Sequence, residues 1–553
     1  MKIDKPNELF LKVKKNITKN DIFIILVVLV LGIINNFSFF ITEGIAPDAL
    51  SSADFNIAGN WEIKLGRFGI KYINLLRYGL VNKFIIVFIS LIFLALAVVV
   101  ISRIFEIKNK TAIAIIAAIV AVAPQFTETY FFIYCADAYA FAFLTSTLTV
   151  FFLKKAENKK WNYLIACLCT IITCSMYQAY LGVILGLFVI YTISQFLREK
   201  NVKDILLEVL KDIVTIGIGI IIYYLILKVI LAILGLSLAS YKGADSLGIN
   251  TIKALPKSII QTYRDFYNFF FTNKIIRNSY YKRMQINSAL FMISLIGLIL
   301  NFVSMKGNKK ILRIVLTILA IITFPIVVSI MDLIAPSTTV NLVTGPGIIT
   351  SVVLMIVIYN NLKNNSINNI IKYLCIILIT ILTNSFIIQN TYTYMNRQET
   401  FRNYYTVAND IYGKATSLED YSTTKKWLFS DVIKFKANNL EKTNGFISYD
   451  NETWNNYNGI LKNYRFFDKY LGVKIKICSK DEYDSIVKSD EFKNMPIYPN
   501  NGSIKIINNI IVIKINMKDH NKKNRQKPDI IQIMFSHKNL HFLLQCFPHF
   551  FVS

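Results

Sequence analysis

Long apolar runs, separated by short polar breaks, dominate residues 1–388. About eleven of them read as membrane-spanning helices by length and flanking charge. They are Ile22–Ile41, Phe84–Ser102, Thr111–Ala123, Phe131–Leu153, Trp161–Met176, Tyr180–Leu197, Ile213–Leu236, Ser288–Val303, Leu312–Met331, Gly347–Tyr359 and Ile370–Ile388. A bilayer core about 30 Å thick demands roughly 20 apolar residues per helix, and soluble cores rarely repeat such runs so often. From Gln389 the pattern turns polar and mixed. Residues 389–515 read as a small α+β domain closing on a strand-like run, Ser503–Ile515. Residues 516–553 carry no packing periodicity and are expected to be a disordered tail. The expected fold is therefore an α-helical polytopic membrane protein with a small extracytoplasmic α+β domain.

Composition supports this reading. Hydrophobic residues make up 54% of the 553 and charged residues only 17%, against about 25% charged in soluble domains; mean hydropathy is +0.46. The net charge of +27 would suggest nucleic acid in a soluble chain. Here the lysines and arginines flank apolar spans and face lipid, so no nucleic-acid partner is expected. Lys2, Lys5, Lys12, Lys14, Lys15 and Lys19 place the N-terminus in the cytoplasm. Arg103, Lys108 and Lys110, then Lys154, Lys155, Lys159 and Lys160, then Lys306, Lys309, Lys310 and Arg313 mark further cytoplasmic turns. The expected location is a bacterial cytoplasmic membrane. Cys135, Cys167, Cys169, Cys174 and Cys375 lie in apolar stretches and read as small buried hydrophobes.

Histidine placement restricts the chemistry. All four histidines, His520, His537, His541 and His549, fall in the tail. Acid–base work in the membrane body must then fall to carboxylates, and zinc lacks its usual nitrogen ligands. No cofactor is expected, and nothing in the sequence supports a divalent metal. The first outer segment, Glu43–Lys83, is the richest in candidates. Asp48 stands a few residues beyond the first span, at the depth of a lipid head group. Asp54 is a second acid, a metal ligand or a helix cap, and both aspartates also fit as plain solvated loop residues. Trp61 and Gly66-Arg67 follow. Glu128 lies in the expected short loop after the third span. Asp137 lies inside the fourth span, where an ionisable group is costly enough to suggest function, unless the span begins later. Tyr177 and Gln178 form an outer hairpin tip suited to stacking on a sugar and hydrogen-bonding it. In the outer segment Ser237–Asn287, Tyr263, Phe266, Tyr267 and Phe270 share one helical face. Lys257 and Arg264 among them suit a lipid phosphate, or simple anchoring in the interface.

In this order the features resemble the multispan bacterial glucosyltransferase family related to phage enzymes that glucosylate O-antigen. That family shows an acidic pair after the first span, then Trp and Gly-Arg; here these are Asp48, Trp61 and Gly66-Arg67, with Pro47 at the first acidic position. Pro124 matches a proline-containing outer turn, and Tyr177-Gln178 a Tyr-Gln pair opening a later span. Met495-Pro496-Ile497-Tyr498-Pro499 with Gly502 matches the C-terminal ending. The resemblance implies a GT-C fold, a catalytic aspartate in the first outer loop, a polyprenyl-phosphate-linked sugar as donor and a cell-surface glycan as acceptor. A transporter or flippase of lipid-linked saccharides is the alternative. Such proteins place their charged sites near the bilayer midplane, whereas the acids here gather at outer ends.

Overall fold

The structure, a computed structural model, describes residues 17–43, 55–239, 249–272, 283–335, 342–363, 365–431, 433 and 463–515. Asp48 and Asp54 lie outside the described residues, as does the tail with its histidines.

The chain forms a helical membrane body. Helix α1 (Lys19–Ile41) opens on a capping box in which Thr18 and Asp21 satisfy each other's backbone amides. Two short helices follow in the first outer segment, α2 (Asn60–Lys64) and α3 (Ile70–Leu76). Helices α4 (Lys83–Ile104) and α5 (Lys110–Ala121) start on Asn82 and Asn109, whose side-chain oxygens accept from the exposed first-turn amides. After a two-residue break comes α6 (Pro124–Phe131), then a single 3₁₀ turn, then α7 (Ala136–Ala156). Next are α8 (Asn162–Met176), α9 (Leu181–Leu197), α10 (Val202–Ile233), α11 (Ile249–Phe271), α12 (Arg283–Ser304), α13 (Lys310–Val328), the single turn α14 (Met331–Ile334), α15 (Thr350–Asn360) and α16 (Ser366–Thr416).

Nine helical stretches among the described residues are long and apolar enough to cross a membrane, and two shorter ones, Asn162–Met176 and Pro346–Asn360, are apolar. All eleven expected runs fall on these stretches. The protein is a multi-pass membrane protein. Two expectations change. Pro124–Glu128 is not a loop but the first part of buried helix α6. Pro124 stands in its first turn, where a missing N–H costs nothing. The expected boundary at 388/389 falls inside the continuous helix α16.

One end of the bundle is laced by basic side chains. Lys154 at the end of α7 donates to Glu106 at 2.7 Å and to the Ile104 carbonyl at 2.8 Å. Arg198 after α9 donates to Glu106 at 2.9 Å, to the Phe105 carbonyl at 2.9 Å and to Asn361 at 3.3 Å. Arg313 on α13 reaches the carbonyls of Glu199, Lys200 and Lys306. Arg103 bonds Asp21 at 2.7 Å. These are the turns expected to be cytoplasmic, and the structure brings them to one face.

A second compact unit comprises, among the described residues, 414–431 and 476–515. Its sheet has the order β2-β1-β4-β3, with β1 (Lys426–Phe429), β2 (Lys476–Ile477), β3 (Ile504–Ile507) and β4 (Ile510–Ile513). β1 is parallel to β2 and β4, and β3 is antiparallel to β4. The helices α17 (Lys480–Lys488) and α18 (Asp490–Asn494) belong to the same unit. The expected single strand over Ser503–Ile515 is a hairpin. Asn508 and Asn509 turn it with φ of 49° and 62°, the left-handed pair that a two-residue hairpin loop requires.

Candidate active site

The end opposite the basic lacing carries the candidate residues. Here α1 runs out at Thr42 and Glu43, and Lys83 at the start of α4 donates to the Thr42 carbonyl and lies 3.7 Å from the Glu43 carboxylate. Phe55 pairs with Leu80 in an isolated antiparallel bridge, and Asn56 donates to the Gly79 carbonyl at 2.7 Å. The described residues on either side of 44–54, Thr42–Glu43 and Phe55–Asn56, are thus bonded to residues 79–83.

Glu128 is completely buried on α6, and neither carboxylate oxygen has a hydrogen-bond partner among the described residues. The space around it is polar. Gln125 Nε2, one turn earlier, and Asn390 Oδ1 on α16 are also buried without partners. Arg397, one turn beyond Tyr394 on α16, faces Glu128 electrostatically and stacks over Phe131 at 4.9 Å. Asparagines hold the walls together. Asn390 donates to Asn35 on α1 at 2.8 Å and to the Val122 carbonyl at 2.9 Å. The second bond satisfies a carbonyl freed where α5 breaks before Pro124, so the break is stable inside the membrane. Tyr394 donates to Asn36 at 2.6 Å. Buried polar atoms are nearly always paired, and intramembrane acids face cavities or partners. Glu128 is thus a buried acid whose oxygens find no donor among the described residues.

Arg67 forms a second feature. Gly66, at φ +78°, turns the chain so that the half-buried Arg67 guanidinium lies over the Tyr177 ring at 4.2 Å, while Nη1 donates to the Tyr139 hydroxyl at 3.0 Å. Tyr139 stacks on Tyr177 at 4.7 Å. Nε of Arg67 has no partner. Gln178 Nε2 donates to the Leu65 carbonyl at 2.9 Å and to Tyr223 at 2.7 Å, and Tyr223 donates to the Gly66 carbonyl at 2.8 Å. Tyr177 and Gln178 are therefore engaged in holding the Gly66-Arg67 turn.

Asp137 sits in the first turn of α7, buried, with Arg77 Nε 2.8 Å from its Oδ2. Its carboxylate is committed to that pair and to the Ala138 amide. Trp61 is exposed on α2. Lys257 and Arg264 are exposed on α11, where Arg264 donates to Gln261 at 3.1 Å. The expected aromatic face of α11 is divided: Tyr263 and Tyr267 point outward, whereas Phe270 is buried against Phe266 and Phe291. The structure thus joins Arg67 with Tyr177 and Gln178, and it leaves Lys257 and Arg264 on another helix. Sequence reading passed over Arg77, Asn35, Asn36, Asn390 and Arg397. Adjacent asparagines inside the first apolar run were the one visible signal.

No group of three or more His, Cys, Asp or Glu side chains is placed to hold a metal ion among the described residues, and the six described cysteines are free and buried. Comparison with curated proteins and with solved structures yields no match. Residues 49–346, more than half of the chain, match the family described as Glucosyl transferase GtrII. With its apolar spans and its sites at the ends of helices, the chain belongs to that family of membrane glycosyltransferases.

Proposed function

We propose that the protein transfers a hexose, glucose by the family's description, from a polyprenyl-phosphate donor to a cell-surface glycan outside a bacterial cytoplasmic membrane. The N-terminus is cytoplasmic in this reading and residues 389–515 are extracytoplasmic. Asp48 takes the proton from the acceptor hydroxyl, and direct displacement inverts the anomeric carbon. The supporting observation is the bonding of Thr42–Glu43 and Phe55–Asn56, the described residues that flank Asp48 and Asp54 in sequence, to residues 79–83. Those flanking residues lie at the bundle end that also holds the unpartnered Glu128 and the Arg67 guanidinium.

Arg67 suits the departing phosphate. It is half-buried, so its charge is poorly screened, and its Nε is uncommitted. Preorganised donors of this kind act where charge develops in the transition state. Glu128 suits a sugar hydroxyl or an incoming cationic group, since either supplies the donor that its oxygens lack. The helix break before Pro124 is the observation that favours the flippase alternative, since transporters use broken helices at their sites.

The test is transfer from a synthetic polyprenyl-phosphate glucose by purified protein in detergent or vesicles. Asp48→Asn should lower the rate by about 10²–10⁴-fold, the usual loss on removing a general base, with donor binding nearly unchanged. Near wild-type transfer by Asp48→Asn, with loss in Asp54→Asn, would move the base to Asp54. Translocation of intact lipid-linked sugar without any transfer would establish the flippase.

A further inference from the structure

The turn between α2 and α3, which presents Arg67, is held from outside through its own backbone. Three successive carbonyls each accept from a different segment. The Ala239 amide donates to the Lys64 carbonyl at 3.0 Å, Gln178 Nε2 to the Leu65 carbonyl at 2.9 Å, and the Tyr223 hydroxyl to the Gly66 carbonyl at 2.8 Å. At the far end of the turn, the Gly69 amide donates to the Ser175 carbonyl at 2.9 Å. One oxygen links three of these pieces. Tyr223 on α10 also accepts from Gln178 at 2.7 Å, so it joins α10, the hairpin tip before α9 and the turn. A carboxamide has two N–H donors, and Gln178 uses both here. The Tyr223 ring is buried and stacks on Phe68 at 5.9 Å. The turn needs such outside bonds. Glycine adopts left- and right-handed conformations with similar ease, so Gly66, at φ +78°, does not by itself fix the conformation. The guanidinium of the next residue meets uncharged groups, the Tyr139 hydroxyl at 3.0 Å and the Tyr177 face at 4.2 Å. Its place therefore depends on where the turn sets the Arg67 backbone.

We propose that Tyr223 and Gln178 are positioning residues for Arg67. They act through the Leu65 and Gly66 carbonyls and set the aim of the guanidinium at the phosphate that leaves the donor. The aim at phosphate rests on the transfer reading above, whereas the fixing of the turn does not. Gln178 then serves the reaction from behind Arg67 and not by touching the sugar, since both of its donors are spent on the turn and on Tyr223. Removing the Tyr223 hydroxyl strands the Gly66 carbonyl and frees one Gln178 N–H, and the turn is released to sample other glycine conformations. A displaced guanidinium still carries its charge, so donor binding survives. What suffers is stabilisation of charge that develops during transfer, which depends on donors already in place.

The experiment uses the full-length protein and Tyr223→Phe, which keeps the ring against Phe68 and removes the hydroxyl. The first readout is amide hydrogen exchange over residues 64–69, followed by mass spectrometry. Exchange there should quicken by about tenfold or more, the factor carried by a lost hydrogen bond with a stranded partner, and Gln178→Leu should act alike. Tyr191→Phe, which removes the hydroxyl bonded to Glu157 at 2.6 Å, should leave that exchange at the wild-type rate. The second readout is transfer from polyprenyl-phosphate glucose. Tyr223→Phe should lower kcat by up to about 100-fold, the cost of a small misplacement, with KM for the donor nearly constant. In an Arg67→Lys background the same change should add almost nothing, because residues that act as a unit are non-additive. Wild-type exchange over 64–69 in Tyr223→Phe would overturn the positioning. A loss that multiplies in full with that of Arg67→Lys would overturn it too, since Tyr223 would then act by another route. Quickened exchange in a protein that transfers no sugar would instead leave the turn as described and overturn the transfer reading, and with it the aim at phosphate.

Discussion

Replacing Arg77 by Met should destabilise the membrane body severely, and replacing Asp137 together with it should restore much of the loss. Arg77 Nε meets Asp137 at 2.8 Å, and the two side chains are each 1% exposed. The same guanidinium donates to the Leu80 carbonyl at 2.6 Å and to the Tyr134 carbonyl at 2.8 Å. It therefore ties the end of α3 to the start of α7. Removing one partner of a buried pair strands the other charge, at a cost of about 3–5 kcal/mol. Asp137→Asn should cost less, about 1.5–3 kcal/mol, because Arg77 keeps both carbonyls. The double variant Arg77→Met/Asp137→Leu replaces the pair by apolar groups and should lie well above the sum of the singles, since such replacements are often near neutral. The assay is unfolding in mixed micelles with added SDS, followed by tryptophan fluorescence, with sugar transfer measured on the same samples. Additive losses, or singles costing under about 1 kcal/mol, would refute the structural pairing. An Asp137→Asn protein of normal stability with transfer abolished would instead make Asp137 a catalytic group.

Three further outcomes follow from the geometry. Gly66→Ala should destabilise by about 1–3 kcal/mol and reduce transfer, since φ is +78° and a Cβ would overlap the Tyr223 hydroxyl and the Gln178 amide; an unchanged unfolding midpoint would contradict the turn. The contribution of Asp332 to stability should be fully present below the ordinary carboxylate pKa of about 3.9 and be lost as the pH rises through about 8, because burial, and then the neighbouring Asp265, make folded Asp332 hold its proton more tightly than the unfolded chain does. Asp332→Asn should flatten that slope, and a slope identical in the variant would dismiss Asp332 as its source. A reporter active only outside the cytoplasm should work when fused after Ile515, and activity of a cytoplasmic reporter there would reverse the proposed orientation.

The spans were legible because a bilayer imposes a length and a composition that local sequence alone must satisfy. Glu128 was found but misplaced. Proline opens helices as readily as it makes turns, and only the bond from Asn390 to the Val122 carbonyl shows that the chain stays buried there. Tyr177 and Gln178 were recognised as a pair, yet their work on the Gly66-Arg67 turn depends on a contact 113 residues away. Asp265 was passed over for the aromatic residues around it, because their spacing marks a face without saying which side meets lipid. Asn508-Asn509 was a readable hairpin signal inside an apolar run that was taken as one strand. Family likeness supplied what spacing did not, the idea of sugar transfer, and the match over residues 49–346 carries that idea at the level of the family.

The lacing of the basic end bears on how the molecule can work. A protein that alternates its access must open each face in turn. At this face Arg198 alone joins the ends of three helices through three hydrogen bonds, two of them to Glu106 and the Phe105 carbonyl at 2.9 Å. Arg313 and Lys154 bind further carbonyls. Exposed charge pairs are each worth only about 0.2–1 kcal/mol, yet these bonds hold the freed carbonyls of several helix ends at once, so parting this face would break them together. In the proposed transfer, donor and acceptor would then both approach from the opposite end, and the order of their arrival becomes a matter of which blocks the other.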